Sequence, residues 1–445
     1  MSNSFSRRAA IAGYDLVAGF VDPITIGAMK RWWFPSARIW ASANGARGDA
    51  DAVAANLPTR GQKRIRSKAA QLALQKNESA RQQSSDANAA WREVVIKGGD
   101  GDPAAGETTR RRAGSRHLAM HGPLAAAVGR RGVQTVAWAM EAPGALPLTA
   151  DAFMASDNLE PVQEGPEFRE DTLMRRWLAA PAETGMVGDI AYARVSWPVD
   201  IPVHGVIVVG AGVGVEWDIF VRMRRDHDFA HAYTVHGLAV VELVSPGHGL
   251  RRADHLYGGE SFFQSAPVSA GASLAAQVRE TGRWIAWARR AFSLPVGVFG
   301  VSMSSFAAQL AISHCNAWPE AARPDAALLM AHSGDLIGVT QGSLSRGLGL
   351  PAAQEAAGWT AADFAPWGEA LGPADKPAIA PEAIVSITGR RDGVTPFRDG
   401  EIVCDNWGIP PANRFTYGHG HMGLPFRVIM EPDANERISE ILRCL

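Results

Sequence analysis

From about Met186 to the C-terminus, short unbroken apolar runs alternate with stretches whose apolar positions recur every three or four residues. The runs "IAYARVSW", "HGVIVVG", "GLAVVELVS", "VGVFGV", "AALLMAHSG", "AIVSITG" and "RFTYG" are rich in β-branched residues and predict strands. Between and after them, "SLAAQVRETGRWIAWARRAF", "SFAAQLAISH" and "NERISEILRCL" carry the helical period. Strands that are apolar at successive positions must be buried on both faces. The pattern therefore predicts an α/β fold, a mostly parallel sheet covered by helices on both sides, over residues 131–445. In such sheets, functional residues gather at the carboxyl ends of the strands. No internal repeat is visible.

The first third reads differently, and residues 1–130 are predicted to form a mostly helical, basic accessory region. "RGQKRIRSKAAQLALQKNESARQQ" favours helix, whereas "GGDGDPAAGETTRRRAGSR", residues 98–116, reads as loop or disorder. Neither stretch interleaves aromatics with its arginines, so nucleic acid is not an expected partner. In "MKRWWFPSARIW" the aromatics Trp32, Trp33, Phe34 and Trp40 sit among Lys30, Arg31 and Arg38. Packing against the main domain is the preferred reading, and peripheral membrane contact through residues 30–40 the second. The N-terminal "MSNSFSRRAAIAG" resembles a twin-arginine export signal. Asp15, Asp22 and Pro23 break the apolar segment such a signal needs, so the expectation is a retained, cytoplasmic protein.

Composition narrows the class. The 445 residues are 47% hydrophobic and 20% charged, ordinary values for a folded chain. A net charge of -1 gives no field that would draw in a polyanion. Cys315, Cys404 and Cys444 are scattered and odd in number, which fits neither a disulfide framework nor a structural metal.

The sharpest chemical signal is "VGVFGVSMSSF". Ser302 sits between a short strand and a helix, with Gly300 two residues before it and the small Ser304 two after. A serine on so tight a turn is lifted above the sheet, and the N–H of the next residue, Met303, points into the site. Serine is inert unless a base takes its proton. Two histidines follow the last strand in "RFTYGHGHMG": His421 is the expected base and His419 the reserve. An acid precedes them: Asp392 in "SITGRRDGVTPF", with Asp335 in "AHSGD" as runner-up. Serine, acid and base in this chain order, each after a strand, suit nucleophilic acyl chemistry.

Together, "GVSMSS", "GRRDGVTP" and "GHGHMG" resemble the α/β-hydrolase superfamily. More narrowly, "VVGAGVGVEWDIFVRM", "LVSPGHGLRR" and "ETGRWIAWARR" are similar to a poorly characterised branch that includes the eukaryotic α/β-hydrolase-domain-containing-eighteen type. Ser304 and Ser305 stand where glycines are common in that pattern. The resemblance implies an α/β-hydrolase fold over roughly Met186 to the C-terminus.

That resemblance also bears on "VIVVGAGVGVEW", which looks at first like a dinucleotide loop. The third required glycine is replaced by Val215, and Glu242 lies inside the next strand rather than at its tip, so the cofactor reading fails. The same turn in a hydrolase supplies the second oxyanion N–H: Ala211 by position, with Gly212 as alternative. "HDFAH" (His227, Asp228, His231) imitates a zinc helix but lacks a third ligand, and His248 reads as a loop residue. No metal or organic cofactor is implied. The apolar stretch at about 336–380 is too long for a plain connection and predicts a small helical lid. The expected function is hydrolysis of carboxylic esters, thioesters included, with an apolar small-molecule acyl substrate. Acyl transfer by the same triad, or a non-catalytic binding or scaffold role, are the alternatives.

Overall fold

The computed structural model describes residues 24–144, 147–156, 159, 162–183, 190–215 and 229–445. Among these residues ten strands form one sheet: β1 (Gln163–Glu164), β2 (Phe168–Glu170), β3 (Leu173–Pro181), β4 (Ile190–Pro198), β5 (Gly205–Gly210), β6 (Leu238–Leu243), β7 (Val296–Val301), β8 (Ala326–Met330), β9 (Ile384–Gly389) and β10 (Arg414–Tyr417). The order is β1-β3-β4-β6-β5-β7-β8-β9-β10, with β2 on β3. From β6 to β10 all neighbours are parallel, while β1 to β4 form an antiparallel wing. An antiparallel β3-β4 wing joined to a parallel set in the order β6-β5-β7-β8-β9-β10, clad by helices on both faces, is the arrangement of the α/β-hydrolase fold.

The helices that position the site are α1 (Phe34–Gly45), α2 (Lys68–Trp91), α3 (Pro103–Leu118), α4 (His121–Val128), α5 (Val268–Phe292), α6 (Met303–His314) and α7 (Asp433–Cys444). Alternation along β5 sends side chains to both faces, as buried parallel strands require. Val206 and Val208 pack with Trp284 and Trp287 of α5, and Ile207 and Val209 with Ile438 and Leu442 of α7. Strand β3 was not expected from the sequence. Its apolar positions are interrupted by Arg175 and Arg176, whose charges are met by Glu170 and Glu167 at 2.7 and 2.8 Å.

The N-terminal third is folded against this sheet. Helices α1, α2 and α4 share a core containing Ile39, Leu74 and Leu124. Trp91, at the end of α2, meets Trp177 of β3 edge-on at 5.1 Å. Phe34 and Ala37 of α1 belong to the same core as Met303 and Phe306 of α6, and Arg38 forms a buried ion pair with Glu260 at 2.7 Å.

One expectation is corrected: residues 103–116 of the stretch read as loop or disorder belong to α3, which runs on to Leu118. Asp102 caps it, accepting from the Ala104 N–H at 2.9 Å, and Pro103 stands at its first position. Arg110 and Arg111 have a partner on their own helix. Glu107 is fully buried, lies 2.7 Å from Arg110 and 3.2 Å from Arg111, and accepts from the Trp91 indole at 2.7 Å.

The aromatic cluster of the N-terminal stretch divides. Phe34 and Trp40 are buried, while Trp32 is 68% exposed. No helix among the described residues is long and apolar enough to cross a membrane. Arg7 and Arg8, and His227 and Asp228, lie outside the described residues.

Four buried histidines are held neutral by this packing. Desolvation pushes His117 and His121 down to about 3 and His248 and His332 down to about 4, from the ordinary 6.5. A depressed folded pKa stabilises the native state above the unfolded value and loses that contribution as pH falls. Below about pH 6.5 unfolding takes up protons at these sites, each worth up to about 1.4 kcal/mol per pH unit. The thermal midpoint is therefore expected to fall steeply from pH 6.5 toward 4.5 and to change little between 7 and 8. A midpoint unchanged on acidification would mean that these rings already bind protons in the folded state.

Candidate active site

Ser302 lies directly after β7 with φ +54° and ψ −114°, a left-handed backbone that a residue bearing a Cβ adopts only under strain. The strain is held from several sides. The Ser302 N–H donates to the Met330 carbonyl of β8 at 2.9 Å, and the Ser302 carbonyl accepts from the Ser305 N–H at 2.9 Å and the Ser305 hydroxyl at 2.5 Å. Ser305, which stands where a glycine is common in the family pattern, therefore contributes a hydroxyl hydrogen bond that glycine lacks.

The structure brings Ser302, His421 and Asp392 together. The Ser302 hydroxyl is 2.8 Å from His421 Nε2, and His421 Nδ1 is 2.8 Å from Asp392 Oδ2. Asp392 Oδ1 accepts from the N–H groups of Val394 and Thr395 at 2.8 and 2.9 Å, and Oδ2 also accepts from the Thr395 hydroxyl at 2.8 Å. Burial alone would raise this carboxyl. The charge of His421 and its hydrogen bond, with those from Val394 and Thr395, outweigh burial and hold Asp392 below the usual carboxylate range. An ionised Asp392 fixes the Nδ1–H tautomer of His421, leaving Nε2 to accept from Ser302.

The two reserves go elsewhere. Asp335 is exposed and caps the helix Leu336–Thr340, accepting from the Gly338 N–H at 2.7 Å. His419 is buried, and its carbonyl receives the Arg391 N–H at 3.1 Å; the Ser302 hydroxyl meets His421 instead. His248, expected to be an ordinary loop residue, locks the glycine turn. Its Nε2 accepts from the Gly214 N–H at 2.9 Å, and its Nδ1 donates to the Pro246 carbonyl at 2.9 Å.

That turn lies against the serine: a Cβ placed on Gly212 would sit 3.3 Å from the Ser302 Cβ. Its orientation is set by Ser304, whose hydroxyl donates to the Ala211 carbonyl and accepts from the Gln277 amide of α5 at 2.7 Å. In a trans peptide the N–H points opposite to the C=O, so the Gly212 N–H is turned away from Ser304. Among the described residues neither the Gly212 nor the Met303 N–H donates to another residue. The N–H of Gly212, the alternative to Ala211, thus lies on the side of the turn away from Ser304.

Above Ser302 and His421 is a cavity of about 660 Å³. Its inner wall comes from residues such as Phe262, Phe306 and Leu336, and part of its outer wall from Met29, Trp33 and His121 of the N-terminal third. The predicted lid region is helical over Leu336–Thr340, Ser343–Leu348, Leu350–Ala356 and Ala361–Leu371, and its Leu336, Val339 and Leu344 face the cavity. No group of three or more His, Cys, Asp or Glu among the described residues is placed to hold a metal ion.

No protein-family model matches the chain, and no curated protein does. Solved structures similar to it include acetyl xylan esterase 1 from Thermoanaerobacterium sp. JW/SL YS485 (TM-score 0.43, 13% identity, 66% of this chain and 96% of that one). A cold-adapted esterase from an Arctic intertidal metagenomic library is another (0.41, 14%, 62% and 98%). A hyperthermophilic esterase from the archaeon Pyrobaculum calidifontis is a third (0.40, 15%, 63% and 84%).

Ser304→Ala strips the Ala211 carbonyl and the Gln277 amide of one buried partner. Denaturant melts should register a loss of about 1–3 kcal/mol. An unchanged melt would mean that the turn is held without this hydroxyl.

Proposed function

We propose that this chain hydrolyses carboxylic esters, thioesters included, through Ser302, His421 and Asp392. The observation that carries the reading is the continuous pair of hydrogen bonds, 2.8 Å from Ser302 to His421 and 2.8 Å from His421 to Asp392. The Ser302 oxygen attacks the acyl carbon as His421 Nε2 takes the hydroxyl proton, and the same imidazole then protonates the leaving alcohol. Water, deprotonated by His421, releases the acid from the acyl-serine and restores the hydroxyl. Asp392 stays ionised and stabilises the imidazolium formed in each half-reaction.

The N–H groups of Met303 and Gly212 are the proposed oxyanion donors, each worth about 3 kcal/mol in sites of this type. The cavity's apolar wall favours an apolar acyl group over a charged one. The three cysteines are free thiols, which supports a reducing, cytoplasmic location. The narrower likeness to the α/β-hydrolase-domain-containing-eighteen branch rests on the sequence motifs alone and is kept as part of the proposal.

A fluorophosphonate probe should label the wild-type protein at Ser302 and leave Ser302→Ala unlabelled. On nitrophenyl esters of increasing chain length, Ser302→Ala should lower kcat by about six orders of magnitude and Asp392→Asn by about four. A folded wild-type protein that neither reacts with the probe nor turns over any ester would sink the reading.

A further inference from the structure

Thr395 holds both oxygens of the acid. Its N–H donates to Asp392 Oδ1 at 2.9 Å and its hydroxyl to Asp392 Oδ2 at 2.8 Å. The same hydroxyl oxygen lies 3.2 Å from His421 Nδ1, itself 2.8 Å from Asp392 Oδ2. The hydroxyl oxygen, the carboxylate oxygen and the ring nitrogen therefore form a closed triangle within hydrogen-bond range. Thr395 is buried, and the triangle sits at the wall of the cavity above Ser302.

A hydroxyl has one hydrogen and two lone pairs. Here the hydrogen is committed to Asp392 Oδ2, so Thr395 presents only lone pairs to His421 Nδ1. A protonated Nδ1 thus meets two acceptors, the nearer one charged. An Nδ1 without its proton would set its lone pair against both, which disfavours the tautomer that cannot take the proton of Ser302. The backbone donors fix only Oδ1. The hydroxyl holds Oδ2 independently of the ring, including in the steps at which the imidazolium passes its proton on.

We propose that Thr395 is a positioning residue for the reaction: its hydroxyl acts through Asp392 and His421 to keep the imidazole in its Nδ1–H tautomer and aligned with Ser302. This rests on the ester-hydrolase reading above. It separates Thr395 from a residue that merely borders the cavity, because its effect is carried by the carboxylate.

The test uses the purified full chain and a nitrophenyl ester, with kcat expressed per serine labelled by fluorophosphonate at completion, so that misfolded molecules do not count. Thr395→Val keeps the shape of the side chain and removes the hydroxyl. It is expected to lower kcat by roughly ten- to a hundredfold, with KM unchanged within about twofold. Thr395→Ser, which restores the hydroxyl, should recover most of that loss. In an Asp392→Asn background the same Thr395→Val change should cost less than about threefold, because the group it acts through is already gone. A kcat for Thr395→Val within about threefold of wild type, a loss carried by KM, or an equal loss in the two backgrounds would overturn the proposal while leaving ester hydrolysis intact. If Thr395→Val does not fold, Thr395→Ala and Thr395→Ser carry the same comparison. A folded wild type that neither labels nor turns over the ester would remove the hydrolase reading itself and this proposal with it.

Discussion

The site depends on how closely α6 can approach the ends of β5 and β7. Two glycines stand side by side there, Gly210 and Gly300, paired across the parallel ladder. A Cβ on Gly300 would lie 2.2 Å from the Ser304 carbonyl oxygen, and one on Gly210 would lie 2.5 Å from the Gln277 amide and 2.6 Å from the Ser304 Cβ. Neither approach survives a methyl group, because the atoms met on the Gly300 side are backbone. This contact brings the first turn of α6 down onto the sheet, forces Ser302 into its left-handed backbone and lifts its hydroxyl toward His421. The strain is local, whereas the bonds that hold it come from β8, α5 and the glycine turn.

The same close approach explains why Ser304 serves here where a glycine would also fit. Its side chain lies in the seam between α6, β5 and α5, and is fully enclosed. An unsatisfied hydroxyl there would be costly, but this one is satisfied twice, by Ala211 and by Gln277. Small size answers the steric demand, and the two hydrogen bonds turn a tolerated substitution into a link between the serine turn and the turn that faces it. His248 closes the far side of that second turn through Gly214. The amides around Ser302 are thus fixed before any ligand arrives, as electrostatic preorganisation requires.

Much of this was legible in the sequence. Ser302, Asp392 and His421 stand just after strands; each alone suits an ordinary turn, and it is their order along the chain, serine then acid then base, that points to chemistry. The unbroken apolar runs gave the parallel half of the sheet, since burial on both faces removes alternation. What escaped depends on partners remote in sequence. Thr395 donates to Asp392 from three residues on, a relation no period marks, and Gln277 reaches Ser304 from the middle of a long amphipathic helix. The α3 stretch looked loose because its Gly, Asp and Pro content obscured Glu107, the buried anion around which Arg110, Arg111 and Trp91 gather. Strand β3 was hidden in the same way, because Arg175 and Arg176 interrupt its apolar run and their carboxylates lie outside the strand. Charges mislead a sequence reading when their partners complete a buried pair.

The N-terminal third bears on the chemistry as well as on the shape of the cavity. Phe34 and Ala37 share a core with Met303 and Phe306, so the helix that opens this region also packs against the first turn of α6. Covering a site with apolar side chains lowers the local dielectric and strengthens every charge interaction beneath. Such a cover would favour protonation of a lone carboxylate. Asp392 stays ionised because four donors meet its two oxygens. With that carboxylate secured, the apolar roof works in favour of the proposed reaction. An imidazolium formed at His421 is attracted more strongly to Asp392 in a dry enclosure than it would be in water. The roof and the four donors are therefore complementary: removing the first would weaken the ion pair, and removing the second would neutralise the acid on which the pair depends.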